Sequence, residues 1–435
     1  MTSGRPRVPE RPSLRSKLGT FVRGDLQVMA LGNVFESGLR FFAFVIYAGA
    51  LTPAGLGVVA AITALTQLLS QTTQFGIDTS VISLGSKELA AGDEPRLAAV
   101  CRSGLWLHLL SAGALSVLGV VLAPLLAGAY FDDPALRVTL IVAFAGIVVS
   151  RLASYLLSVL RTYQRFVSYA VSGLASAIFL FGGVLVLDFL GRLTILSVVS
   201  LVLLGAPAVK LLVAMVGTPG DTFRLGRYHV PFREILQFGK WIWGSALLEA
   251  AVTRVNVLLL SLYAGDAATG YFAMAARFAE FLSLIFEPVR KYLLPKFTAL
   301  TDPALIARAL RKTYSRLAWA LLILPVAWLL ARPVILLIGG PDWVEAVIVF
   351  QVLVAARLLF VLSKPLAFAT FALKRPQIQT LVHFIGLVAY AVVAIPLIQR
   401  LGAVGSALCM LWFSMAILGA LAWFTWRALR TTKDG

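Results

Sequence analysis

Long apolar runs separated by short polar connections dominate this chain. Runs recur at about 28–50, 55–83, 104–127, 136–160, 167–190 and 194–216. After the polar connection TPGDTFRLGRYHVPFRE (218–234), they resume at about 235–262, 267–290, 314–338, 342–366, 378–398 and 403–426. A helix needs about 20 apolar residues to cross the hydrocarbon of a bilayer. Strands of a membrane barrel would instead alternate in segments of about ten residues. The pattern therefore predicts an all-α polytopic membrane protein with 12 transmembrane helices. Its organisation reads as a basic tail (1–25), a six-helix lobe (26–217), a linker (218–234), a second six-helix lobe (235–428) and a short tail (429–435).

The polar interruptions inside the runs are more telling. The first run, VMALGNVFESGLRFFAFVIYAGA, carries Glu36 and Arg40 at mid-depth. At 100° per residue, Asn33, Glu36 and Arg40 share a stripe, with Ser37 beside it. A charge at mid-depth costs roughly 2.5–3.5 kcal/mol on insertion scales, so that stripe must face protein or an aqueous cavity.

Of the 435 residues, 60% are hydrophobic and only 13% charged, with a mean hydropathy of +0.90. The net charge of +18 invites a nucleic-acid partner, but its placement argues against one. With the N-terminus inside, 27 of the 38 Lys and Arg fall in the inside segments, four in the outside loops (Arg137, Arg192, Arg332, Arg400) and seven within spans. This positive-inside asymmetry predicts a multi-pass protein of the cytoplasmic (inner) membrane with both termini cytoplasmic. The N-terminus also has features of a cleaved signal peptide, with Ala48-Gly-Ala50 as a cleavage-like site. The length and internal charges of the first span predict that it is retained. No GxxxxGK[ST] run marks an ATP site. Cys101 and Cys409 form neither a disulfide framework nor a metal site. His108, His229 and His383 are too scattered for ligands and read as buried or interfacial residues.

The halves resemble each other. A shift of 213 positions brings Glu36 onto Glu249 and Gly57 onto Gly270. A shift of 209 brings Asp78, Lys87, Asp93 and Arg102 onto Glu287, Lys296, Asp302 and Arg311. An even number of spans per copy implies a parallel repeat about an axis along the membrane normal. The prediction is two pseudo-symmetric six-helix bundles around a central cavity.

The basic residues within spans are Arg40, Arg151, Lys210, Arg254, Arg277, Arg357 and Lys364. The mid-span acids are Glu36, Glu249 and Glu280, with Asp78 nearer the cytoplasmic end. Seven bases facing lipid would cost on the order of 20 kcal/mol, so most must line an interior. Glu36–Arg40 and Arg277–Glu280 have the spacing of structural helix pairs. Lys210 reads as snorkelling to the cytoplasmic interface, and Lys364 reads equally as snorkelling or interior. Arg254 lies about 140° around its helix from Glu249, and Arg151 and Arg357 have no acid within a turn. Such arginines need an anion from elsewhere, and guanidinium grips phosphate oxygens well. Ser70, Gln71, Thr72, Thr73, Gln74, Ser168, Ser172 and Ser176 read as helix-packing residues or a sugar-compatible lining. Trp241, Trp243, Trp319, Trp343 and Trp426 read as interface anchors, and Pro124, Pro207, Pro325 and Pro396 as hinges or tolerated kinks.

The 6 + 6 spans, the opening LGNVFESGLRFFAFVIYAGALTPAGLG and the run QFGIDTSVISLGSKEL together resemble Wzx-type lipid-linked oligosaccharide flippases of the multidrug/oligosaccharidyl-lipid/polysaccharide exporter superfamily. The resemblance implies two lobes around a V-shaped cavity and alternating access for a polyprenyl-diphosphate-linked glycan. The cargo would serve cell-surface polysaccharides such as lipopolysaccharide or exopolysaccharide. It implies a monomer among membrane lipids, working with glycan-assembly proteins, with no nucleic acid and no cofactor beyond Na⁺ or H⁺ coupling. Arg40, Arg254 and Arg277 would hold the diphosphate, with Arg151, Arg357 and Lys364 in support. Glu36, Glu249, Glu280 and Asp78 would serve coupling or charge pairing. Lys87 and Lys296 serve orientation or a gate. Lipid II flippases of that superfamily usually carry two further helices, which this chain lacks. A multidrug/cation antiporter on the same fold is the alternative. A membrane glycan polymerase or ligase is disfavoured by the short outer loops.

Overall fold

The computed structural model describes residues 14–223, 232–283, 293, 297, 302–317, 321–373 and 377–431. Among these residues the chain is helices joined by short turns, with no strand. The first half holds α1 (Leu14–Ala50), α2 (Pro53–Thr72), α3 (Ile77–Ala91), α4 (Glu94–Ala129), α5 (Arg137–Thr162), α6 (Phe166–Phe189) and α7 (Ile195–Gly217). The second holds α8 (232–264), α9 (266–283), α10 (Pro303–Leu317), α11 (Ile323–Gly339), α12 (Glu345–Ala372), α13 (377–401) and α14 (403–431).

Eight helical segments among the described residues are long and apolar enough to cross a membrane. Two of them are pairs, α8–α9 and α13–α14, broken at Gly265 (φ 82°) and Gly402 (φ 53°). With the charged α1 and the shorter apolar α11, the described residues supply the twelve crossings that the hydrophobic pattern predicts.

Three boundaries differ from expectation. Helix α1 starts at Leu14, inside the segment assigned to the basic tail. Helix α4 starts at Glu94, ten residues before its apolar run, because Asp93 caps it by accepting from the Arg96 N–H and Pro95 suits the first turn. The second span is not one helix: it breaks between α2 and α3. There the Thr72 and Thr73 hydroxyls bond back to the Leu69 and Ser70 carbonyls, in competition with the helical ladder. Phe75 and Gly76 then take left-handed φ of 45° and 70°, a conformation natural only to the glycine.

The halves meet along α2, α8 and α9. Phe44, Ala48 and Leu56 of α1 and α2 belong to the same apolar core as Leu260, Phe272 and Phe278 of the second half. At the face carrying the Leu51 turn, Gly57 packs on the Asp266 carbonyl and Gly270 on the Pro53 carbonyl. A Cβ at either glycine would overlap backbone. Both contacts obey the 213-residue shift, as two copies crossing at a shared axis would. On the same face Tyr130 Oη donates to the Leu258 carbonyl at 2.7 Å. At the opposite face, Trp243 Nε1 donates to the Gln71 carbonyl (2.9 Å), and Ser80 Oγ to the Ile235 carbonyl (2.7 Å). Arg96 approaches Glu234 at 3.6 Å. Contacts thus bridge the halves at both faces.

The glycine seam makes a prediction with opposite signs. In a helix interior Gly→Ala ordinarily gains about 0.8–1 kcal/mol. Gly113→Ala on α4, where a Cβ meets nothing within 4 Å, should hold or raise the thermal unfolding temperature in detergent. Gly57→Ala and Gly270→Ala should lower it, by an overpacking cost of about 1–3 kcal/mol. Equal shifts in all three would refute the seam.

Candidate substrate site

Helix geometry alone places Arg40 one turn beyond Glu36 on α1. Arg40 Nε meets Glu36 Oε1 at 3.1 Å. The same oxygen accepts Lys210 Nζ from α7 at 2.8 Å. Arg40 Nη2 also donates to Ser176 Oγ on α6 (2.8 Å), which in turn donates to the Ala206 carbonyl (2.7 Å). Gly173 lets α6 approach closely enough to pack against the Glu36 carboxylate. One carboxylate therefore ties α1, α6 and α7 together while carrying two cations.

Asp78 repeats the arrangement in α3. Its Oδ2 accepts Arg151 Nη2 from α5 (2.9 Å) and Gln74 Nε2 (2.8 Å), and its Oδ1 faces His108 Nε2 on α4 (3.0 Å). Asp78, His108 and Arg151 are all buried.

In the second half, Glu280 on α9 is shared by Arg277 (3.3 Å), one turn away, and by Arg357 of α12 (3.4 Å). Arg277 also lies over the Phe44 ring of α1 at 5.9 Å. Next to this group is a cavity of about 740 Å³, counting the part open to solvent. Glu249, Thr253 and Arg254 of α8, Glu280 of α9 and Arg357 and Phe360 of α12 line it, with Met410, Phe413 and Ser414 of α14 closing one side. Arg254 is within electrostatic reach of Glu280, Arg277 and Arg357. Among the described residues, neither Arg254 nor Glu249 has a hydrogen-bond or ion-pair partner on a side chain. Lys364 lies one turn along α12, its Nζ 3.8 Å from the Phe360 ring centre.

The structure thus brings Arg254, Arg277, Arg357, Glu249 and Glu280 together and leaves Glu36 and Arg40 in a separate group on α1. Arg151 is not at the cavity: its missing anion is Asp78, 73 residues away in sequence. Lys210 does not snorkel, because Glu36 holds it within the helices. His108 is buried, as expected, and sits on Asp78; the partners of Lys210 and His108 had no local signal, being 174 and 30 residues distant. Two tryptophans are not interface anchors. Trp343 is buried beside Gly339 and Tyr271, and Trp243 bonds to Gln71. Glu287, Lys296, Trp319 and the Trp241 side chain lie outside the described residues.

The family model described as "Polysaccharide biosynthesis protein" matches residues 46–348, more than half of the chain. No curated protein matches the chain in sequence. Among solved structures, the chain resembles the lipid II flippase MurJ in an inward closed conformation. The TM-score is 0.76 and the identity 15%, covering 91% of this chain and 86% of that one. It also resembles an inward-facing multidrug resistance MATE family transporter of the MOP superfamily (TM-score 0.71, 14% identity, 91% and 96% covered). A third is the Vibrio cholerae MATE transporter VcmN in the bent form (TM-score 0.57, 14% identity, 92% and 98% covered). At these identities the likeness shows the fold. These neighbours are a lipid II flippase and MATE transporters.

The shared-carboxylate geometry has a measurable consequence. Glu36→Gln leaves Arg40 and Lys210 facing each other without an anion, and should lower the thermal unfolding temperature in detergent. Adding Lys210→Met should recover part of that loss, with an interaction energy of about 0.5–3 kcal/mol in the double-mutant cycle. Strict additivity would show that the two side chains do not meet.

Proposed function

The chain belongs to the polysaccharide biosynthesis protein family, and on that premise we propose that it is a secondary flippase for a polyprenyl-diphosphate-linked oligosaccharide. It carries the headgroup across the cytoplasmic membrane by alternating access, with both termini cytoplasmic, for the assembly of a surface polysaccharide. The observation that carries this reading is Arg254: a guanidinium at a cavity wall with no anion of its own among the described residues. Nearby, Arg277 and Arg357 share the single carboxylate of Glu280. The lining itself has two bases, Arg254 and Arg357, and two acids, Glu249 and Glu280; Arg277, outside the lining, makes a third base in the group.

A diphosphate entering this cavity gives Arg254 its anion and competes with Glu280 for Arg357 and Arg277. Arginine suits that exchange, since its planar fork pairs bidentately with carboxylate or phosphate. The polyprenyl tail stays in lipid. Thr253 and Ser414 offer hydroxyls to the sugar, and Glu249 accepts from sugar hydroxyls or takes a coupling proton. Arg40 forms a second cationic station on α1, held in readiness by Glu36, with Lys364 beside the cavity. Arg151 supports the fold of the first half.

The test is export of surface glycan in a deletion strain complemented with single variants. Arg254→Ala should abolish export or reduce it at least about tenfold, as the loss of one charge-assisted contact of about 1.5–3 kcal/mol implies. Arg357→Ala should reduce it less, and Arg254→Lys should restore it only in part. Wild-type export in Arg254→Ala and Arg357→Ala, with ethidium efflux in the unmodified protein, would favour the multidrug antiporter instead.

A further inference from the structure

We infer that His108 is a proton-binding site that latches α3, and through α3 the contacts joining the halves on the Trp243 face. The inference rests on the transporter reading only in requiring that the two halves move against each other.

His108 is fully buried on α4. Asp78 Oδ2 already takes donors from Arg151 and Gln74, so the carboxyl is ionised and its Oδ1 accepts from His108 Nε2–H at 3.0 Å. This fixes the neutral tautomer and leaves Nδ1 as the only place for a further proton. Nδ1 has no hydrogen-bond partner among the described residues, and neither does Arg151 Nε. A proton on Nδ1 would create a buried cationic N–H without an acceptor among the described residues, on a carboxylate that already serves a guanidinium. Such a group is costly. The arrangement seen here therefore selects neutral His108. Protonation favours any other arrangement that gives Nδ1 an acceptor or water, which is a population shift. The remaining neighbours do not titrate near neutrality in their ordinary range. They are Tyr155 of α5, whose ring lies 5.0 Å from the imidazole, and Cys101 of α4, whose carbonyl accepts the Tyr155 hydroxyl.

The position of Asp78 turns this site into a latch. Asp78 and Ser80 are both in the first turn of α3, immediately after the break at Phe75 and Gly76. Asp78 holds that turn to α4 and α5 of its own half. Ser80 holds it to the Ile235 carbonyl of α8 in the other half. Four residues before the break, the Gln71 carbonyl receives Trp243 of α8. When His108 is protonated and moves, Asp78 loses its partner on α4 and the first turn of α3 keeps only Arg151 of α5 on that carboxylate. The segment then turns about the break, and the cross-half bonds on this face open.

The experiment uses the purified full chain in nanodiscs, with spin labels on Lys87→Cys of α3 and Arg233→Cys of α8, both exposed. Both native cysteines are buried. Between pH 8 and pH 5 the longer-distance population should grow about fivefold or more, within the range of ordinary coupling energies. His108→Gln should abolish that dependence, while His383→Gln should keep it. Ser80→Ala, a mild change, should raise the longer-distance population at pH 8. An unchanged pH profile in His108→Gln, a flat profile in the unmodified protein, or no effect of Ser80→Ala would each overturn the latch. No substrate is present, so these outcomes are independent of glycan export and leave the flippase reading standing.

Discussion

A charge placed among membrane helices gains most from a counter-charge within the protein, and here three carboxylates each serve two basic groups. Glu36 holds Arg40 and Lys210, Asp78 holds Arg151 and His108, and Glu280 holds Arg277 and Arg357. Each acid joins helices distant in sequence, so the three carboxylates are cross-braces as well as counter-ions. Sharing also keeps the bases from being fully neutralised. In a low-dielectric interior the second cation on each acid is stabilised less than the first. The Glu36 and Glu280 groups carry that surplus permanently. The Asp78 group carries it only when His108 takes a proton.

The duplicated scaffold and its chemistry follow different rules. At the seam the copies agree to the residue, with Gly57 and Gly270 each pressed on the other copy's backbone. In the helix interiors they diverge. The shift that superposes Glu36 on Glu249 sets Arg254, Arg277 and Glu280 opposite Phe41, Ala64 and Gln67. Glu36 has two cations, whereas Glu249 has no ion pair among the described residues and faces a cavity. Backbone crossings must be preserved for two copies to close on one axis. Interior side chains are free to differ, so that one half ties Glu36 into a brace and the other leaves Glu249 at an open cavity.

What could be read from the sequence follows the range of the interaction. The crossings were legible because hydrophobic length is a local property. The pairs Glu36–Arg40 and Arg277–Glu280 were legible because a helix fixes neighbours three and four apart, and the structure has them at 3.1 and 3.3 Å. The partners of Lys210, Arg151 and His108 were not, because each depends on how separate helices rotate against one another. The break after α2 was hidden for another reason. Its residues are polar but uncharged, so hydropathy runs across it, and only the left-handed Phe75 and Gly76 reveal the interruption. Trp243 and Trp343 sit near helix ends as interface tryptophans do, and only their partners show that they pack inward.

A fold shared with both a lipid II flippase and multidrug transporters does not identify a cargo, since at 14–15% identity it conveys only the course of the helices. The sign of the charge at the cavity discriminates better. A cation enters favourably where acid is in excess, yet the cavity lining has as many bases (Arg254, Arg357) as acids (Glu249, Glu280), Arg277 draws on Glu280 from outside it, and Arg254 lacks an anion of its own among the described residues. A phosphate-bearing headgroup turns that uncompensated guanidinium from a cost into a contact. Glu249 and Glu280 then keep the empty site from being so positive that release would be slow. An anion held by borrowed arginines can be given up when the carboxylates reclaim them, which is what a carrier, as opposed to a tight binder, requires.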